Sequence, residues 1–289
     1  MGDFDFLEPI PKTVVTVRLP SRGVPYPEGA PQGSGKLTLS AMTMVEESLF
    51  ANFRGDNSEI IDKVLQRCIQ EGTDVNSLLS ADKFFLFMML RAVTYGSEYT
   101  FNWNCPNPVS LREVCGHKNT TTVHIPDDFK VKYLSDEDKE PFKVTLPESQ
   151  KEISFRLLRG MDELQIDKHS AELKARQKAG VGGADTSTAF RLARQIVAVD
   201  GNAIKDAPEQ KLMSFILSLP SRDVQTFREK IGFYTPGINT DVTLVCADCG
   251  AAHEWDLPFT ADFFRAKLSD TGSAVVDEVR SDVLPGDEL

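Results

Sequence analysis

The chain has 289 residues, 41% apolar and 26% charged, with 32 lysines and arginines against 43 aspartates and glutamates, a formal net charge of −11. That length buries a sizeable core and allows one domain or two. The acidity argues against a general nucleic-acid surface, and the longest apolar run, Phe84 to Leu90, is far too short to span a membrane.

Met1 to Glu8 is acidic and lacks an apolar core, so no export signal is read there, and the cysteines are expected to sit in a reducing cytoplasm. Thr13 to Leu19 alternates like a strand, and Lys36 to Leu39 is expected to pair back with it across the Pro/Gly-rich loop Pro20 to Ser34. That loop reads as a connector, with an interaction arm as the alternative. Thr43 and Glu46 have capping-box spacing, which predicts a helix to about Phe53, before Gly55. A second helix opens at Ser58, with Ile60, Ile61, Val64, Leu65, Cys68 and Ile69 on one apolar face and Gly72 as its stop. Cys68 therefore reads as core. The stretch after Ser80 is apolar almost all round, which predicts a central buried helix ending at Tyr95 and Gly96.

Thr94 to Ile125 and Val242 to Phe259 each read as strand, cysteine-bearing turn and returning strand. Between them, Asp127 to Pro141 is a charged connector, and Phe142 to Leu146 and Glu152 to Leu158 form a strand pair around the polar turn Pro147 to Gln150. Met161 to Lys178 predicts a charged amphipathic helix with Leu164 and Leu173 as its apolar points. Gly180 to Ala184 breaks it and lacks the GK[ST] ending of a phosphate loop. Thr186 to Val199 reads as helix or mixed structure, Asp200 and Gly201 as a turn, and Pro208 to Leu219 and Pro220 to Gly232 as helices. Phe259 to Leu268 reads as a last short helix, followed by an acidic tail.

Cys246, Cys249 and Gly250 form a CxxCG knuckle whose thiolates can reach one tetrahedral ion, and Cys105 and Cys115 with Gly116 supply a second pair separated by nine residues. Two disulfides, buried free thiols, or His117 in place of a cysteine are the alternatives. The knuckle between strand-like arms, with a distant pair in the same setting, favours a closed, structural Zn2+ site made by Cys105, Cys115, Cys246 and Cys249. His117 and His253 then read as polar residues on the arms, and His124 and His169 lack ligand-spaced neighbours. The fold class expected is α+β, a helical body with small β elements and a split four-cysteine zinc ribbon formed by two distant hairpins. The expected segments are residues 1–40 (β element and arm), 41–93 (helices), 94–126 and 240–259 (ribbon halves), 127–239 (hairpin and helical body) and 260–289 (short helix and tail).

Catalytic motifs are absent: no GxSxG elbow, no HExxH, and no Ser/His/Asp set that the sequence alone singles out. Asp136, Glu137 and Asp138 read as a solvated acidic face, and Lys174, Arg176, Lys178, Arg191 and Arg194 concentrate positive charge in one region. The chain is therefore expected to bind rather than catalyse.

The series LLSADKFFLFMMLRAVTYGSEYTFNWNCP, CGHKNTTTVHI, EISFRLLRGMDE, IVAVDGNAI, LPSRDVQTFREKIGFYTPGI and CADCGAAHEWDLPFTADFFR resembles the baseplate hub proteins of contractile-tailed phages, the T-even-type baseplate family. VRLPSRGVPY and LTLSAMTMVEESL resemble its N-terminal part, so the likeness spans roughly residues 14 to 266. It implies a virion tail component without catalytic activity, assembled in the host cytoplasm. Its partners would be other baseplate and hub proteins and the tape measure protein, with several copies around the tail axis and no nucleic acid or membrane. The family's first knuckle is often a compact CPxCGH, whereas here PNPVSLREV separates Cys105 from Cys115. Two other readings are a hub-assembly chaperone absent from the finished virion and a zinc-ribbon nucleic-acid factor.

Overall fold

The computed structural model describes residues 10–50, 58–110, 113–180, 185–259 and 261–264. Met1 to Pro9, the end expected for the first helix, Val181 to Ala184 and the acidic tail lie outside them. Helices and small antiparallel sheets are mixed along the chain, an α+β arrangement.

Val14–Arg18 (β1) and Lys36–Ser40 (β2) pair antiparallel with Thr16 opposite Thr38, and alternation turns Val17, Leu37 and Leu39 into the core. Met44–Phe50 (α1) and Ser58–Cys68 (α2) follow. Thr43 and Glu46 make the expected cap: the Thr43 amide donates to Glu46 Oε2 at 2.9 Å, and the Val45 amide to Thr43 Oγ1 at 3.4 Å. Val64, Leu65 and Cys68 are buried on one stripe of α2, and Ile69 just beyond its end is buried with them.

Ser80–Tyr95 (α3) is the central helix, buried from Phe85 through Ala92. An apolar helix needs its first turn fixed as well, and the Pro/Gly-rich loop does that. Asp82 accepts the Ser21 amide at 3.0 Å and the Tyr26 hydroxyl at 2.7 Å, while Tyr26 Oη accepts the Leu79 amide at 2.8 Å. Among the described residues the loop is thus a connector docked onto α3.

Next come the hairpin Glu98–Asn104 (β3) with Lys118–His124 (β4), and Val131–Lys132 (β5). Phe142–Thr145 (β6) and Glu152–Phe155 (β7) form the expected strand pair. Gly160–Lys178 (α4) runs out from it and Ser187–Ala193 (α5) runs back, so the mixed segment resolves into α5 and Ile196–Val199 (β8). With Asn202–Ala203 (β9), the strands make a four-stranded antiparallel sheet in the order β6-β7-β8-β9. Glu209–Ser218 (α6) and Ser221–Tyr234 (α7) follow, then Gly237–Ile238 (β10), and the hairpin Asp241–Val245 (β11) with Ala252–Asp256 (β12).

Three details differ from expectation. On α4 the fully buried apolar residue is Ile166, with Leu164 and Leu173 only half-buried. The charged connector contains β5, which pairs with β10; two-residue strands are too short to carry a period-2 signal. The polar turn after β6 is tied down, since the Glu148 and Ser149 amides donate to the buried Asp223 carboxylate of α7 at 2.7 and 2.9 Å.

After β12 the chain returns to the helical core. Phe263 and Phe264 on the 3-10 turn Ala261–Phe264 are each 1% exposed. Phe264 stacks on Phe50 of α1 with centroids 4.3 Å apart and meets Phe87 of α3 at 4.8 Å. No helix among the described residues is long and apolar enough to cross a membrane.

Candidate metal centre

The two cysteine hairpins are separated by the whole β5 to β10 region, yet they pack together. Trp103 of β3 lies with its ring 6.2 Å from Trp255 and 6.0 Å from His253, both of β12, and the Tyr99 hydroxyl donates to the Pro258 carbonyl at 3.2 Å. This apposition brings the ends of β3 and β11 side by side.

Each end carries the same local geometry. The Cys105 amide donates to the His117 carbonyl at 2.9 Å, and the Gly116 amide to the Cys105 carbonyl at 3.0 Å. In the second knuckle, Cys246 donates to Ala251 and Gly250 to Cys246, both at 3.0 Å. Gly116 and Gly250 take φ of 64° and 71°, a left-handed turn that a Cβ would strain. The nine residues between Cys105 and Cys115 therefore leave the knuckle intact. Their described ends come together, with Pro108 bridging Val114 and the Cys115 amide donating to the Asn107 carbonyl at 2.7 Å.

The four sulfurs of Cys105, Cys115, Cys246 and Cys249 converge, all within 4.8 Å of one another. Cys105 and Cys249 approach to 3.6 Å, and Cys115 and Cys246 to 3.9 Å. All are free thiols rather than disulfides. This is the one cluster of its kind among the described residues that could hold a metal ion. Cys105 and Cys246 are buried, Cys115 is half-buried and Cys249 exposed.

The surroundings prepare the sulfurs for ionisation unequally. Burial opposes ionisation of Cys246, but the amides of Cys249 and Asp248 and the Asn119 side chain outweigh it and bring the thiol down to about 6. The His117 amide favours the Cys115 thiolate, yet burial and the three neighbouring thiols push it up to about 12. Burial, with neighbouring thiols, also raises Cys105. Four thiolates so close repel one another, and a bound cation is what would remove that repulsion.

Three side-chain nitrogens ring the cluster. Asn107 Nδ2 lies 3.6 Å from Cys249 Sγ, Asn119 Nδ2 lies 3.6 Å from Cys246 Sγ, and His253 Nε2 lies 3.5 Å from Cys105 Sγ. Asp248 Oδ2 faces Cys115 Sγ at 3.7 Å. Sequence reasoning missed Asn107 and Asn119, because an asparagine in a loop or a Thr-rich strand carries no periodic signal; Asp248 at least lies inside CxxC.

The remaining candidates fall elsewhere. His117 is exposed, His124 faces Asp128 and Glu98, and His169 stacks on Phe190 at 4.2 Å. Cys68 is buried in α2, its thiol raised to about 11 by burial and by Glu46. The basic region is partly neutralised within the fold: Arg191 pairs with Glu163 at 2.9 Å and Arg194 with Asp162 at 3.1 Å.

Fold and site together define a mixed helical and β protein whose distant halves meet at a four-thiol junction. A family model described as T4 bacteriophage base plate protein matches residues 11–265, and the chain belongs to that family. Membership gives it a structural role in the phage baseplate and thus a place in the virion tail. Comparison with curated proteins and with solved structures returns no match.

Proposed function

We propose that this chain is a non-enzymatic subunit of the baseplate hub that binds other hub and baseplate subunits during tail assembly, with a structural Zn2+ held by Cys105, Cys115, Cys246 and Cys249. The observation that carries the reading is the convergence of four thiols from two distant hairpins in a chain of the base plate family. Four thiolates with zinc–sulfur bonds of about 2.3 Å form a tetrahedron with edges of about 3.8 Å. The 3.6 and 3.9 Å approaches straddle that length. Soft sulfur donors in a tetrahedral set suit zinc. A closed set leaves no coordination position for water or substrate, so the ion would hold the two hairpins together as a split zinc ribbon. Rigid faces on either side of that junction would then meet neighbouring subunits, including the tape measure protein, in several copies around the tail axis. Assembly takes place in the host cytoplasm, with protein partners and neither nucleic acid nor membrane.

Two measurements test this. Elemental analysis of the purified chain should give one zinc per molecule, and Cys249→Ser should release it and lower the melting temperature, whereas Cys68→Ala should leave metal content unchanged. Full zinc content and an unchanged melting temperature in Cys249→Ser would sink the assignment. Quantitative mass spectrometry of purified particles should count a small fixed number of copies against the tail tube and sheath. Presence in the lysate with absence from particles would instead identify an assembly chaperone.

A further inference from the structure

We infer that the loop end of the β1–β2 hairpin is a binding cleft for a carboxylate-bearing, acidic segment of a neighbouring protein. Arg18, Arg22, Ser34, Gly35 and Lys36 line a cleft of about 370 Å³. Arg18 and Lys36 are directly opposite in the antiparallel register. Like charges so placed repel and weaken the strand pair. Among the described residues neither has an acidic ion-pair partner, and both are exposed. The next pair on the same face, Thr16 and Thr38, is matched by a hydroxyl contact of 3.0 Å, so the mismatch is confined to the cleft.

The third cation is held in place. Arg22 donates through Nη1 to the Leu134 carbonyl at 3.3 Å and through Nη2 to the exposed Asp136 carboxylate, while its buried Nε has no hydrogen-bond partner. Arg18 lies over the Tyr133 ring, 5.7 Å from its centroid. The floor admits no side chain: a Cβ on Gly35 would come within 2.5 Å of the Arg22 carbonyl oxygen. Two cations without an acidic partner, beside an Arg22 that already carries Asp136, match a single further carboxylate at this cleft. In a chain of net charge −11 they are too few and too local to hold an extended polyanion. An acidic loop of an adjacent baseplate subunit fits both constraints.

The test is an NMR titration of the 15N-labelled full-length chain at low ionic strength. The probes are an acetylated, amidated peptide of alternating glutamate and serine, its glutamine analogue, inorganic phosphate and a short single-stranded oligodeoxynucleotide. The acidic peptide should give saturable shifts at the amides of Ser34, Gly35 and Lys36, and the glutamine peptide none. The combined Arg18→Gln and Lys36→Gln variant should bind about tenfold more weakly, as loss of two solvent-exposed charge contacts implies. Lys36→Glu provides a separate readout: it turns the repulsive cross-strand pair into an attractive one, so the melting temperature should rise while peptide binding disappears. Undiminished affinity in the double glutamine variant, peptide binding that persists in Lys36→Glu, absence of peptide binding to the unaltered chain, or saturation by phosphate or the oligonucleotide without the peptide would each overturn the assignment.

Discussion

Asn119 and Ala247 are joined across 128 residues of chain, the Ala247 amide donating to Asn119 Oδ1 at 2.9 Å. The same side chain places Nδ2 3.6 Å from Cys246 Sγ and 3.1 Å from the His117 carbonyl, so one buried asparagine of β4 holds both knuckles. The junction thus has a tie that does not depend on an ion.

Asn119→Ala should separate the tie from the ligands. All four cysteines remain, so on the proposed zinc reading one ion per chain should persist, while affinity falls about 10- to 100-fold, the usual effect of removing a partner that orients a ligand. Ala247 is exposed, so its freed amide can turn to water and loss of this hydrogen bond should cost about 0.5–1.5 kcal/mol. Chelator competition and urea unfolding measure the two effects, and an unaltered affinity would show that the asparagine orients nothing.

Glu46 makes the stability of the N-terminal helices depend on acid. Burial alone would raise its carboxyl, but Thr43 and Arg67 hydrogen bonds outweigh it and lower the value from 4.5 to about 2. A depressed carboxylate contributes stability that is fully present above its unfolded value and is lost as pH falls through the folded one. The wild-type chain should therefore lose urea resistance between pH 4.5 and about 2 more steeply than Glu46→Gln. Parallel slopes in that window would contradict the role assigned to Glu46.

Asp162 gathers two arginines at the start of α4. Arg156 approaches it at 2.6 and 2.9 Å, Arg194 at 3.1 Å, and the Arg159 amide at 2.9 Å. Burial opposes its charge, yet these donors hold its carboxyl below the usual range. Removing one partner of a fully buried pair costs about 3–5 kcal/mol. Here Arg156 and Arg194 keep 27% and 31% exposure and can turn to water. Asp162→Asn should accordingly cost about 2–3 kcal/mol, below the fully buried case, read from the urea midpoint at neutral pH. A loss under half of that would mean that the arginines are already solvated.

What could be read in the chain follows from the range of the forces involved. The Thr43 cap, the alternation of Val15 and Val17, the apolar stripe of α2 and the CxxCG knuckle all depend on neighbours a few residues away, and each left a local pattern. The β5–β10 pair and the contact between Asn119 and Ala247 join residues more than a hundred positions apart; Ala247 sits inside the CxxCG knuckle, but nothing around Asn119 points to it as the partner. Cys105 and Cys115 stand between these cases. Their spacing conceals the knuckle, but the glycine after Cys115 and the strand on either side preserve it. The family likeness was legible because many such local patterns occur in order.

Phe264 tests whether the chain beyond the second hairpin belongs to the core. Its ring is 1% exposed and lies between Phe50 and Phe87, the first from α1 and the second from the central α3. Truncation to alanine removes those contacts and leaves a cavity that the two flanking helices cannot close without moving, so Phe264→Ala should cost about 3–5 kcal/mol. Phe264→Leu keeps most of the volume and should cost less than about 1.5 kcal/mol. Neither variant touches a cysteine, so metal content should be unchanged in both. Urea midpoints that fail to separate alanine from leucine would mean that the ring fills no cavity, and that the chain after β12 lies against the helices without helping to hold them.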